Sequence, residues 1–325
     1  MKRILGKSGI EVSALGMGCW AIGGPWTWAQ PGSEPWPAGW GKTDDAESIR
    51  AIHAAIDAGV DFFDTAANYG AGHSETVLGE AVRDRRGDVV IATKFGHMID
   101  EKTKEVYADD DQIIANVRSD VENSLRRLQT DVVDIYQLHA GEYDPISALE
   151  LRGILEDLVT EGKIRWYGWS TDLVDRAEVF AEGDDCTSIQ FRLNVLFDDE
   201  PMRRLCRESS LAGINKDPLN RGILTGKFTT TSKFPEDDIR TGINFAEGTL
   251  AERLQTVENL REALTVGGRT MAQGSLAYIW ALDSNMVPIP GFKTVEQVTQ
   301  NAGAMTFGPL SASEMSQVDE ILGRT

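Results

Sequence analysis

Apolar residues follow two rhythms along this chain, and the two alternate. Short runs dense in β-branched and aromatic residues read as buried strands: residues 14–18, 61–64, 89–94, 132–139, 164–170, 188–190, 211–216 and 286–290. Between them, apolar residues recur three and four apart, the spacing of one helix face. The first such stretch runs from Asp44 or Asp45 through Ile49, Ile52, Ala55 and Ile56 to Gly59, with an acidic cap at its start. Further helices are predicted over residues 74–83, 111–128, 145–160, a segment ending at 181, then 200–208, 249–265, 270–283, 294–303 and 311–322. Residues 1–12 read as a small hairpin turning at Gly6-Lys7-Ser8-Gly9.

Counted from Leu15, eight strands alternate with helices. This predicts an α/β fold: a (β/α)8 TIM barrel with an N-terminal β-hairpin and extra C-terminal helices, its active site at the C-terminal strand ends. An open doubly wound sheet is the alternative. Its Gly-x-Gly-x-x-Gly turn is missing, because Gly16-Met17-Gly18 runs into a long loop. That loop, residues 20–42, holds Trp26, Trp28, Trp36 and Trp40 among glycines and prolines without a period. A loop of this length is functional or disordered, and four tryptophans argue against disorder. Residues 225–248 form a second long, polar loop, and no repeat or linker divides the chain, so residues 1–325 read as one domain.

The strands end on chemistry. Side chains alternate between the two faces of a strand, so Phe62 shares a face with Asp64, Val90 and Ala92 with Lys94, and Ile135 and Gln137 with His139. If these faces line one barrel interior, Asp64, Lys94 and His139 meet at its mouth, with Tyr69 on the loop just above. A carboxylate at a buried strand end needs a partner. Taken singly, these are an ordinary ion pair, a half-buried loop aromatic and a core histidine; together they are an acid–base constellation.

Composition narrows the classes. Of 325 residues, 41% are hydrophobic, enough for a substantial core. No run approaches the roughly 20 apolar residues of a membrane span. A net charge of −19 argues against nucleic acid and anionic membrane as partners. Cys19, Cys186 and Cys206 are odd in number and far apart, and the four histidines are scattered, so neither a disulfide framework nor a metal site is expected. The first residues, Met1-Lys2-Arg3-Ile4-Leu5-Gly6, lack the apolar region of a signal peptide. A reducing, cytoplasmic location is the expectation. Oligomeric state leaves no mark in the sequence.

An ordered set of short motifs completes the reading: Phe63-Asp64-Thr65-Ala66 with Tyr69-Gly70, Ala92-Thr93-Lys94, Ser124-Leu125-Arg126-Arg127-Leu128, Gln137-Leu138-His139, Gly162-Lys163-Ile164-Arg165, Leu224-Thr225-Gly226-Lys227 and Ile289-Pro290-Gly291. Over essentially its whole length the chain resembles the aldo-keto reductase superfamily, and within it the bacterial branch similar to potassium-channel beta subunits. The resemblance implies an NADP(H)-dependent oxidoreductase reducing aldehydes or ketones, or oxidising the matching alcohols or sugars, with Tyr69 as proton donor and Asp64, Lys94 and His139 around it. It places Ser170 and Gln190 at the nicotinamide carboxamide, with Thr171 where the family usually has Asn. Lys216 stands where many members have an aromatic residue that stacks on the nicotinamide. Pro218, Leu219 and Gly222 fall at the pyrophosphate, Gly291, Lys293 and Thr294 at a 2′-phosphate, and Gln297 and Asn301 at the adenine. Gln297 stands where some members carry Arg, which leaves NAD(H) as the second cofactor. Trp26, Trp28, Asn68, Phe95 and Trp169 are expected to shape the site for a small-molecule carbonyl or sugar. The resemblance also admits another role, a non-catalytic NADPH-binding regulatory subunit of the same fold. A metal-dependent barrel enzyme would need clustered histidine and carboxylate ligands.

Overall fold

The computed structural model describes residues 1–30 and 32–324; Pro31, within the tryptophan-rich segment, and Thr325 lie outside the described residues. Eight parallel strands form the central sheet: β1 (Gly16–Gly18), β2 (Phe62–Asp64), β3 (Val90–Phe95), β4 (Val133–Leu138), β5 (Ile164–Ser170), β6 (Cys186–Arg192), β7 (Ala212–Lys216) and β8 (Met286–Pro288). Each pairs with the next in sequence order. The sheet is drawn shut where the Gly18 N–H donates to the Pro290 carbonyl at 3.0 Å. A Cβ on Gly18 would stand 2.8 Å from the Ile289 carbonyl oxygen, so only glycine lets the two edges approach.

The interior is graded along the barrel axis. Its floor is apolar: Phe62, Ala92, Ile135, Ala212, Ile214 and Val287 pack in one buried cluster. Leu5 and Val12 join the same cluster. They belong to the hairpin of Lys2–Ile4 and Glu11–Ser13, which closes the bottom. One step further along the strands the inward positions turn polar, with Asp64, Lys94, Gln137 and Gln190 all buried. The outward positions pack against a ring of helices. One of them, α1 (Ile113–Leu128), shows why: it turns Val117, Val121, Leu125 and Leu128 inward, the single apolar stripe its sequence carries.

Two segments differ from the sequence reading. Residues 20–42 are not irregular throughout, and β3 does not lead directly to a helix near 111. Thr27–Trp28, Trp36–Pro37, His97–Asp100 and Glu105–Ala108 build a four-stranded sheet beside the barrel mouth. Thr27 and Trp28 pair in parallel with Glu105 and Val106. Strands of two to four residues are too short to show a period, and this pairing joins segments far apart in sequence. The Asp100 carboxylate accepts from the Lys102 N–H at 2.8 Å and sets the hairpin turn. The loop at 226–247 is polar in composition yet anchored: Phe228, Phe234 and Phe245 pack on one another, and the Ile239 N–H donates to Gly39 at 2.7 Å.

Candidate active site

Asp64 ends β2, Lys94 is the fifth residue of β3 and His139 follows β4 directly. Because β2, β3 and β4 are neighbours in one sheet, residues on the inward face of each converge at the same rim. Lys94 Nζ donates to Asp64 Oδ1 at 2.5 Å, to the Thr65 carbonyl at 2.8 Å and to Tyr69 Oη at 3.2 Å. All three ammonium hydrogens are used. Tyr69 therefore accepts from Lys94, and its own O–H is left to donate elsewhere. Asp64 is equally committed: its Oδ2 accepts from Gln137 at 3.0 Å and from Gln190 at 2.8 Å. A buried ion pair is stable only when its remaining hydrogen-bonding capacity is met, and these two glutamines meet it.

His139 Nδ1 lies 3.1 Å from Asn68 Oδ1. Asn68 decides which ring nitrogen holds the proton: its oxygen takes a hydrogen from Nδ1, whereas its NH2, turned over, would give one to Nδ1 and leave Nε2–H free. The His139 ring stands edge-on to Tyr69, centroids 5.9 Å apart. Trp20 stacks on Tyr69 with centroids 5.8 Å apart.

Burial dominates the proton affinities. It pushes the Tyr69 phenol above its ordinary value, and the nearby Lys94 charge offsets only part of the effect. The sequence alone points to the lysine; the enclosure that works against it is a tertiary property. For Lys94, burial opposes the charge, but Asp64 and Tyr69 outweigh it and hold the ammonium above its ordinary value. His139 is pushed well below its ordinary value by burial, then by His97, Lys94 and Lys216. At neutral pH the arrangement is a protonated phenol, a charged ammonium and a neutral imidazole.

These groups open on a cavity of about 960 Å³ that runs from Trp28, His97 and His139 past Tyr69 to Gly291, Lys293, Gln297 and Asn301. Lys216, Pro218, Leu219 and Gly222 form one wall. Seven basic side chains line it (Arg192, Lys216, Arg221, Lys227, Arg240, Arg253, Lys293) against three carboxylates (Asp64, Asp172, Asp217). In a chain of net charge −19 this local reversal fits a polyanionic ligand. Lys216 pairs with Asp172 at 3.2 Å, and burial holds its ammonium below the ordinary value. Lys293 Nζ donates to the carbonyls of Trp40 and Lys42, tying the end of the barrel to the tryptophan segment. Its backbone N–H donates to Gln297 Oε1 at 2.7 Å. Asn301 Nδ2 donates to the Gly291 carbonyl at 3.4 Å.

Some expected site residues lie elsewhere. Phe95 stacks on Tyr136 with centroids 4.5 Å apart, in the core between sheet and helices. Trp169 is fully buried, packs on Phe180 at 4.8 Å and donates its indole N–H to Ala140 at 2.9 Å. Both corrections follow from alternation: Lys94 faces inward, so Phe95 faces outward, and Ser170 and Trp169 divide the faces likewise. Ser170 is buried outside the cavity lining and donates to Gln190 Oε1 at 3.4 Å. Thr294 caps the following helix, its hydroxyl accepting from the Gln297 N–H at 3.3 Å. Trp26, Trp28 and Asn68 do line the cavity. Sequence reasoning missed His97 and Arg240. His97 opens the unrecognised hairpin, and Arg240 lies over the rings of Phe234 and Trp40 in a loop without a period.

A parallel eight-stranded α/β barrel, with a long basic cavity over the C-terminal ends of its strands, is the architecture of the barrel enzymes. Within that class the chain belongs to the aldo/keto reductase family, whose sequence profile matches residues 14–323. It is 33% identical over 287 residues to the aldo-keto reductase YhdN of Bacillus subtilis, covering 86% of this chain and 80% of that one. Among solved structures it superposes on the glycerol dehydrogenase AKR11B4 from Gluconobacter oxydans with a TM-score of 0.80 at 30% identity, over 99% of this chain and 95% of that one. It also superposes on an aldo-keto reductase from Klebsiella pneumoniae in complex with NADPH, with a TM-score of 0.70 at 26% identity, over 99% and 95% of the two chains.

Proposed function

We propose that this protein reduces aldehydes or ketones with NADPH, or oxidises the matching alcohols or sugars with NADP+, Tyr69 giving or taking the proton. The observation that carries the reading is the commitment of all three Lys94 hydrogens, one of them to Tyr69 Oη at 3.2 Å. Tyr69 has a hydrogen to donate and a cation beside it that stabilises the phenolate left behind. Asp64 keeps Lys94 charged, and neutral His139 orients the carbonyl oxygen, with Asn68 behind it. The nicotinamide, when bound, supplies or accepts the hydride. The basic cavity supports a dinucleotide with an additional phosphate: Lys216, Pro218, Leu219 and Gly222 along its middle, Lys293 with the helix beginning at Thr294 for the 2′-phosphate, and Gln297 and Asn301 toward the adenine. The NADPH complex of the Klebsiella relative supports the same choice; NAD(H) is the weaker ligand. We assign the activity to the cytoplasm and to one barrel domain over residues 1–325. Among the described residues no helix is long and apolar enough to cross a membrane. A regulatory role without turnover gains no support from an assembled set of acid–base groups. In Tyr69→Phe, NADPH binding persists while turnover falls by about 10²–10⁴-fold. Unchanged turnover, followed by NADPH absorbance with a panel of aldehydes, removes Tyr69 as the proton donor.

A further inference from the structure

The cavity wall between Lys216 and Gly222 carries a charge of the wrong sign for its ligand. A basic cavity suits a polyanion, yet Asp217 lines it in the middle of the segment proposed for the pyrophosphate. The backbone there is bent and pinned. Asp217, Asn220 and Arg221 are three non-glycine residues at φ 56°, 47° and 52° within five positions, and strain of this kind collects at ligand sites. The Asp217 carbonyl accepts from the Asn220 N–H at 2.9 Å and from Asn194 Nδ2 at 3.1 Å. The carboxylate turns back on its own loop. Its Oδ1 accepts from the Arg221 N–H at 2.6 Å, and its Oδ2 stands 3.6 Å from Arg192 Nε. Lys216 is the neighbouring cation, already paired with Asp172 at 3.2 Å. The other Asp172 oxygen accepts from the Arg192 N–H at 2.7 Å. A backbone N–H and a guanidinium directed at one anion are groups that bind phosphate oxygens. Here a side-chain carboxylate holds one and stands against the other.

We propose that Asp217 is an internal competitor of the cofactor: its carboxylate engages the Arg221 N–H and the Arg192 guanidinium, groups the pyrophosphate also needs, and gives them up by taking a proton as the dinucleotide binds. The inference rests on the cofactor reading and adds a device that sets the affinity. The charged groups facing the carboxylate are Arg192 from β6, Lys216 from β7 and Arg221 from the turn itself; Asp172, after β5, faces Lys216. Burial raises the Asp217 carboxyl above its ordinary value, against the Arg221 N–H and the three cations. Phosphates brought beside it add negative charge and raise it further. A group whose proton affinity rises on binding takes up a proton with the ligand, so the dinucleotide binds more tightly as the pH falls. At high pH the carboxylate stays charged and repels both phosphates.

The test is the dissociation constant of NADP+, read from quenching of tryptophan fluorescence, since Trp20, Trp26, Trp28, Trp36 and Trp40 border the cavity. Wild type and Asp217→Asn are compared at about pH 8 and about pH 5, and the cofactor's own titration cancels in their ratio. Asn keeps an oxygen for the Arg221 N–H and tolerates a positive φ. The variant is expected to bind NADP+ about 10-fold more tightly at the higher pH. The advantage shrinks severalfold at the lower pH, where the wild-type carboxyl is protonated in the complex. NAD+ is expected to show the same advantage, because both dinucleotides carry the pyrophosphate. Equal or weaker binding by the variant at the higher pH overturns the proposal. So does an advantage confined to NADP+, or one of the same size at both pH values, which marks a rearranged loop rather than a lost charge. Should Asp217→Asn lose the cooperative melting of the wild type, Asp217→Gly, also at home at positive φ, is judged by the same outcomes. If the wild type binds neither dinucleotide, the cofactor reading fails and takes this inference with it.

Discussion

The ammonium of Lys94 gives one hydrogen each to Asp64, the Thr65 carbonyl and Tyr69, so each of these groups depends on the other two. The two imidazoles nearby behave differently. Burial depresses both, His97 to about 4 and His139 well below its usual range. A histidine with a depressed folded-state pKa binds fewer protons folded than unfolded once the pH drops below its unfolded value of about 6.5. Its contribution to stability is therefore complete above about pH 6.5 and is lost as the pH falls toward the folded pKa. Asp120 and Asp185, both raised to about 6, act in the opposite sense over the same window. The comparison must therefore be with a variant. His97→Gln is expected to lose less melting temperature than the wild type between about pH 7 and about pH 5. Parallel melting curves in the two proteins would show that His97 is not held neutral by the fold.

At the scale of elements, two joints matter. The first is the barrel seam, where β1 meets the segment after β8. Gly18→Ala would place a Cβ 2.8 Å from the Ile289 carbonyl, and this backbone contact cannot rotate away. We expect a loss of about 1–3 kcal/mol, read as a lower urea midpoint at unchanged slope; an unchanged midpoint would show that the seam yields. The second is Lys293, which links the end of the barrel to Trp40 and Lys42 and is the cation proposed above for a 2′-phosphate. Hydrogen bonds to charged groups contribute about 1.5–3 kcal/mol. Lys293→Met should therefore raise KM for NADPH by about 10- to 10²-fold and leave KM for NADH within a few-fold. Equal increases for both cofactors would assign the residue to loop anchoring alone.

At the scale of the whole molecule, the charge distribution is uneven. The chain carries a net −19, yet its large cavity presents seven basic groups against three acidic ones. Such a field draws an anionic ligand toward one opening while the rest of the surface repels it. The barrel was legible in the sequence because eight apolar runs separated by helical periods leave few other topologies. The sheet beside the mouth was not. Trp28 pairs with Val106 and with Trp36, contacts that no local period announces.

Taken alone, the sequence determined what depends on spacing along the chain. Alternation along three strands put Asp64, Lys94 and His139 on inward faces, and the same rule, carried one residue further, sends Phe95 and Trp169 outward. The ordered motifs determined the family. Only the tertiary structure decided what depends on enclosure and on distant segments meeting. It decided that burial outweighs Lys94 at the Tyr69 phenol, that Gln137 and Gln190 complete the coordination of Asp64, and that His97 stands beside His139 under the tryptophans. Desolvation and hydrogen-bond partnership are properties of a closed three-dimensional surrounding, and a linear spacing carries no measure of either.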